Sequence, residues 1–335
     1  MNGTYHAMLC RSLGPPGGAP GTLSWEALER RPLRGGEVRV RLEAAAANFP
    51  DMLMLRGEYQ YKPELPFVPG FEGAGHVVET GPEVRDVAVG DPVIVNTRAG
   101  SFAEEIVAPE GALMRVPAGF TMAEAAAFPV AASTAYCALV PRGRIRPGET
   151  LLVHGAGSGV GLTAVEVGHL MGARVIACAS TPEKRAAALA KGANLALDNR
   201  QNFRDAVMEA TGGRGVDLAY DPVGGEIFTE TLRCMARRGR LLVIGFASGT
   251  LPAAPANRIL LKDCDIVGVR AGEYGRQDPL AGRRMKEDLL ALADAGHMKP
   301  LITHILPVTE ANDAMQRFVD RAVAGKIVLS LPDAA

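Results

Sequence analysis

The feature that most constrains this chain is a glycine-dense turn set between a strand and a helix. Residues 151–154 (Leu-Leu-Val-His) read as a short apolar strand, and Gly155, Ala156, Gly157, Ser158, Gly159, Val160 and Gly161 follow at once, running into a helical pattern over 160–171. Glycines let backbone N–H groups come close to a pyrophosphate, whose charge the helix N-terminus then stabilises. A glycine cluster alone says little. Between the strand and helix of a βαβ unit it points to a dinucleotide.

The alternation continues down the chain. A second strand over 174–179 precedes Thr181, an N-cap with Pro182 at the first helical position, and that helix runs through 186–191 to Gly192. Strand and helix pairs follow at 195–197 with 202–211 and at 216–221 with 227–235, then strands at 240–245 and 266–270. This pattern predicts an α/β fold with a parallel, doubly wound sheet. Before residue 121 the texture differs. Short β-type runs at 37–42, 75–79, 92–96 and 104–107, with dense Gly and Pro at 13–21 and 81–92, predict a β-rich, barrel-like unit. The alanine-rich stretch 122–138 reads as a helix kinked or broken at Pro129. Helices at 285–295 and 309–323 precede a closing β-type run, 326–331, which can return to the first unit. At 335 residues the chain suits two domains better than one core, and 47% hydrophobic with 22% charged residues is a globular balance.

Composition also excludes several function classes. A formal net charge of −1 leaves no basic excess to attract nucleic acid or an anionic membrane, so a small-molecule partner is expected. The five cysteines, Cys10, Cys137, Cys178, Cys234 and Cys264, are odd in number and never form C-x-x-C, which suggests neither a disulfide framework nor a metal knuckle. No leader pattern follows Met1, and no uninterrupted apolar run reaches the roughly 20 residues that span a bilayer, so a cytoplasmic location is expected.

Coenzyme choice turns on the end of the second strand, where an acid would bind a ribose 2′-OH and repel a 2′-phosphate. Residues 177–181 carry no carboxylate there, whereas Ser180, Thr181, Lys184 and Arg185 can all serve a phosphate. NADPH is the expected coenzyme. The plainer reading of Lys184 and Arg185 is as solvated helix charges, and Glu183 between Thr181 and Lys184 weighs against the phosphate.

Several stretches, in register over essentially the whole chain, resemble one family. They are ANFPDMLMLRGEY at 47–59, VPGFEGAGHVVETG at 68–81, VHGAGSGVGL at 153–162, YDPVGG at 220–225, GRLLVIGFASG at 239–249 and GKIVLS at 325–330. In these the chain resembles the zinc-independent, zeta-crystallin-like NADPH:quinone oxidoreductases of the medium-chain dehydrogenase/reductase family. The resemblance implies a GroES-like β-barrel catalytic domain, 1–125 with 271–335, and an inserted Rossmann domain, 126–270. It also implies an active site in the cleft between them and a homodimer, or alternatively a tetramer, joined through the Rossmann sheet edge. Where zinc-dependent relatives carry cysteine and histidine ligands this chain has Asn48 and Phe71, although Asp51 and Glu72 remain beside them. Without thiolate or imidazole no catalytic zinc is expected.

The same resemblance places Asn48 and Tyr59 by the nicotinamide as catalytic residues, with turn-capping and interface packing as their plainer readings. Arg270 is a third candidate, stabilising an enolate or quinol oxygen or forming a salt bridge. Ser133 and Thr134 fall where the family contacts the nicotinamide ribose, or else cap a helix. Gly245, Phe246 and Ala247 are expected along the nicotinamide channel, and Lys326 is counted with the cofactor-binding positions. Two departures stand out: Ser158 takes a glycine position of the phosphate turn, and Asn199 replaces a tyrosine that helps hold the NADP 2′-phosphate in some relatives. His76 and His154 are read as packed or solvent-facing.

The activity so implied is zinc-independent reduction of a quinone by hydride or electrons from NADPH. Reduction of an activated C=C bond in an enal, enone or enoyl thioester fits the same residues, with Tyr59 or water giving the proton. An NADPH-binding structural protein with little turnover, like the lens crystallins of the family, is the further alternative. Retained Asn48 and Tyr59 argue against it. No basic stripe or aromatic platform suggests RNA.

Overall fold

The computed structural model describes residues 3–332. These form two compact units, one running up to Val130 and resuming at Lys299, the other Ala131–Met298. The second unit therefore runs to 298 rather than the expected 270. Helix Pro279–Asp294 explains the difference: it buries Gly282, Met285, Leu289 and Ala293, and its Asp288 Oδ2 accepts a 2.8 Å hydrogen bond from the Tyr136 hydroxyl.

The first unit is organised by the eleven-residue strand Glu37–Ala47. It pairs antiparallel with Glu72–Thr80, Glu105–Pro109 and Lys326–Ser330, so the closing run does return to the first unit. Ile302–Pro307 lies outside Lys326–Ser330, while Pro92–Asn96 and Leu113–Arg115 extend the other side. A separate hairpin pair, Thr4–Cys10 with Leu23–Glu29, buries Met8, Cys10 and Leu23 with Leu42, Met52, Leu55 and Phe102 in one apolar core.

In the second unit six parallel strands lie in the order Leu195–Asp198, Arg174–Ala179, Thr150–Val153, Val216–Asp221, Met235–Val243 and Asp265–Gly268. The strand order reverses between Thr150–Val153 and Val216–Asp221. In open α/β sheets a ligand binds beyond the carboxyl ends at such a switch point. Helices Gly159–Leu170, Pro182–Ala190, Phe203–Ala210 and Gly225–Cys234 connect the strands.

The alanine-rich stretch becomes two helices, Met122–Ala127 and Pro129–Cys137, interrupted at Phe128 as Pro129 requires, with a wide turn at Ala138–Arg142. By length and composition Met122–Arg142 could cross a bilayer, although Glu124, Ser133 and Thr134 interrupt its apolar run as expected from the sequence. Most of its apolar window is buried, which marks it as core helix.

His154, directly after the first parallel strand, is fully buried against the Phe203 ring at 4.9 Å. The Thr231 hydroxyl donates to Ile227 O at 2.6 Å, so it must accept from the ring Nε2 at 2.7 Å. Nδ1 has no hydrogen-bond partner among the described residues. Burial pushes the ring down to about 3 from the ordinary 6.5. A folded value below the unfolded one stabilises the native state above pH 6.5, and that contribution is lost as pH falls toward 3. The wild type should therefore lose stability in urea by up to about 1.4 kcal/mol per pH unit below 6.5 from this residue. His154→Leu should lose correspondingly less. Parallel pH dependences for the two proteins would show that the ring is not held neutral.

Candidate functional site

The glycine turn is built from within. Gly155 takes φ +59°, and Ala156 N–H donates to Cys178 O at 3.1 Å, which ties the turn to the neighbouring strand. Ser158, the departure from the expected glycine, is the N-cap: its Oγ accepts from Gly161 N at 3.2 Å and donates to Gly155 O at 2.8 Å. The serine therefore closes the loop. A Cβ on Gly161 would lie 2.1 Å from Gly155 O, and one on Gly157 would lie 2.5–2.8 Å from the Lys184 stem. Gly161 gives the helix its close approach to the strand. Gly157 makes room for Lys184 to cross the turn.

At the ends of the next two strands the expected phosphate residues are found together. Thr181 caps helix Pro182–Ala190, accepting from Lys184 N at 3.3 Å, and Lys184 is half-buried, which draws its ammonium down from the usual lysine range. Glu183 bonds the N–H of its own turn and the Thr181 hydroxyl, which hold its carboxyl below the usual range. Sequence reasoning missed Asp198, which pairs with Arg185 at 3.2 Å and Arg200 at 3.0 Å; only its place at the end of a strand hinted at it. Asn199 Oδ1 is buried with no hydrogen-bond partner among the described residues.

Two more loops converge on the same end of the sheet. Asp221 Oδ1 accepts from Val223 N at 2.8 Å and Gly224 N at 3.0 Å, and burial pushes its carboxyl up. Ala247 N donates to Pro222 O at 3.0 Å, which brings the 245–247 segment beside this loop, and Phe246 is 40% exposed. Pro222 and Val223 also lie over Gly155. Thr134 and Ser133 sit in the second turn of helix Pro129–Cys137, partly buried, so neither is a cap. Arg270 is exposed at the head of helix Ala271–Gln277 and forms no ion pair among the described residues, which removes its salt-bridge reading.

The first unit holds a separate polar cluster. Asn48 caps helix Phe49–Leu55, and its Nδ2 donates to Ala46 O at 3.1 Å and Glu72 Oε1 at 2.9 Å. Lys326 Nζ donates to Asn48 Oδ1 and Glu72 Oε1, each at 2.6 Å, and Val130 N donates to Glu72 Oε2 at 2.7 Å. Lys326, counted above with the cofactor-binding positions, is held by Glu72 and Asn48 inside the first unit. Asp51 accepts from Asn48 N and Gly70 N, and full burial pushes it up to about 7 against the pull of those donors. Tyr59 packs edge-on to Phe71 at 5.5 Å, and Arg98 lies over the Tyr61 ring at 5.3 Å.

Known proteins are similar to this chain over its whole length. Residues 34–118 match the model for the alcohol dehydrogenase GroES-like domain and 159–288 that for the zinc-binding dehydrogenase. Quinone oxidoreductase-like protein 2 of Mus musculus is 36% identical over 329 residues, 98% of this chain and 92% of the relative. A mycobacterial protein solved in complex with NADPH superposes with TM-score 0.88 at 30% identity, covering 97% of this chain and 99% of that one. The CurK enoyl reductase superposes with TM-score 0.86 at 26% identity, covering 98% and 99%. The zinc in the second model's description does not fit the Asn48, Glu72 and Lys326 cluster, which offers neither thiolate nor imidazole and whose Lys326 ammonium already lies between the Asn48 and Glu72 oxygens.

Gly161→Ala should weaken dinucleotide binding at least about tenfold in a fluorescence titration and lower the melting temperature, since backbone would have to move. Wild-type affinity in this variant would mean that the turn does not carry the pyrophosphate.

Proposed function

The chain belongs to the quinone oxidoreductase-like branch of the medium-chain dehydrogenase/reductase family, and from that footing we propose that it reduces quinones with NADPH and without zinc. The observation that carries the zinc-free reading is the Lys326 ammonium between Asn48 and Glu72, a buried cation where a zinc-dependent relative would need ligands. A substrate alkoxide has no metal to bind there. Reduction of an acceptor whose charge a hydrogen-bond donor can meet fits better.

Bound NADPH would supply the hydride. The N-terminal N–H groups of helix Gly159–Leu170 bind the pyrophosphate, and Lys184 brings a cation across the turn while residues 180–181 present no carboxylate to a 2′-phosphate. Tyr59 donates its phenol hydrogen to the oxygen on which charge develops. Asn48 is an acceptor only, because both Nδ2 hydrogens are committed to Ala46 and Glu72. The likeness to an enoyl reductase supports a second reading, reduction of an activated C=C bond with Tyr59 or water giving the proton.

Loss of nicotinamide absorbance by the purified, chelator-treated protein separates these readings. Turnover of 1,4-benzoquinone with NADPH above NADH is expected, with Tyr59→Phe lowering kcat by about 10- to 100-fold. Preference for a crotonyl thioester or 2-hexenal would replace quinone by C=C reduction, and preference for NADH would sink the coenzyme assignment.

We also propose that two copies associate through the open edge of the parallel sheet. Among the described residues strand Asp265–Gly268 pairs on one side only, and Leu260 and Leu261 on the preceding helix Ala256–Lys262 are 80% and 79% exposed. Sedimentation at micromolar concentration should give twice the chain mass, and Leu260→Glu with Leu261→Glu should return it to one. A monomeric wild type would refute the association.

A further inference from the structure

Asp198 ends the strand Leu195–Asp198 and lies in register beside Ala179, the last residue of the next strand. The carboxyl end of that next strand is where a doubly wound sheet receives the adenosine ribose of a dinucleotide. An acid so close would ordinarily bind the ribose hydroxyls. Here it is turned to other work. Its Oδ1 accepts from Arg200 N at 3.0 Å and Arg200 Nε at 3.1 Å, and its Oδ2 takes Arg200 Nη2 at 3.0 Å and Arg185 Nη1 at 3.2 Å. Arg185 Nη1 also donates to Ala179 O at 3.2 Å, which fixes that guanidinium against the strand end. The Asp198 side chain is only 14% exposed, while Arg200 is 63% exposed and presents its far edge outward.

Charge sharpens the picture. Arg185 and Arg200 are two cations on one carboxylate, and with Lys184 and Glu183 on the adjoining helix counted the group carries one net positive charge, the sign a phosphate monoester needs. Asn199, in sequence between Asp198 and Arg200, keeps a buried Oδ1 with no hydrogen-bond partner among the described residues, an acceptor suited to a ligand hydroxyl.

We propose that Arg200, with Arg185, binds the 2′-phosphate of the coenzyme and that Asp198 is the positioning residue that presents both guanidinium groups to it. The proposal rests on the NADPH reading above and supplies what Asn199, standing where some relatives have a tyrosine, does not. Asp198 engages the Nε and Nη2 edge of Arg200, and the phosphate takes the Nη1 side in a charge-assisted contact.

Calorimetric titration of the full chain with 2′,5′-ADP and 5′-AMP tests this without any turnover. The wild type should bind 2′,5′-ADP at least about tenfold more tightly than 5′-AMP, and Arg200→Gln should cut that ratio by about tenfold with 5′-AMP binding retained as the control for folding. Asp198→Asn removes a negative charge, so simple attraction predicts tighter 2′,5′-ADP binding, whereas a positioning role predicts weaker binding. An unchanged ratio in Arg200→Gln overturns the role of Arg200, and tighter binding by Asp198→Asn overturns that of Asp198. In both cases the NADPH reading survives. A wild type that does not distinguish the two nucleotides removes the NADPH reading, and this proposal with it.

Discussion

Helix Gly159–Leu170 can begin where it does only because nothing larger than a hydrogen stands between Gly161 and the Gly155 carbonyl oxygen, which a Cβ would approach to 2.1 Å. That approach lets Leu162, Ala164 and Val165 reach the core within two turns, and Gly168 repeats the device against Leu151. With the helix pressed onto the sheet, its N-terminus is aimed at the switch point. Ser158 shows how much freedom the motif allows. A hydroxyl that bonds Gly155 and Gly161 holds the same turn in another way.

The first unit solves a different problem, that of a carboxylate with no access to water. Glu72 is fully buried, and an unpaired buried charge costs several kcal/mol, roughly 3–5 when one partner of an existing pair is removed. Lys326 neutralises it, Asn48 and Val130 complete its hydrogen bonds, and a strand, a helix cap and the closing strand are thereby joined at one point. The positive charge at this point is an ammonium of the chain itself.

How much of this could be read from sequence depended on how local each signal is. The strands Arg174–Ala179 and Val216–Asp221 agree with expectation to the residue, and Thr181 with Pro182 marked a helix start that the structure reproduces. Ala44–Ala47 were missed as strand because alanine has little β-propensity; they are strand because neighbours on both sides hold their backbone in a buried sheet. The hairpin Thr4–Cys10 with Leu23–Glu29 was hidden by the Gly- and Pro-rich stretch between its arms. Site residues divide in the same way. The glycine turn is contiguous and was legible, whereas Lys326 finds its partners 254 and 278 residues away, and no spacing rule could assign it to them. The Asp198 pair with Arg185 depends on which strands lie side by side, and Tyr136 donates to a carboxylate 152 residues away.

Strand Lys326–Ser330 lies between Ile302–Pro307 and Glu37–Ala47 in the first unit's sheet, and it is the last strand among the described residues. During synthesis, then, the whole second unit leaves the ribosome while the first still lacks two of its strands and the counter-charge for Glu72. At about 5–20 residues per second, the interval between completing residue 130 and residue 330 is on the order of 10–40 s. For that time Glu37–Ala47 has an open edge along its alanine stretch, and a buried carboxylate waits for an ammonium not yet made. The order of translation makes the middle of this chain the first part able to fold, and its beginning among the last.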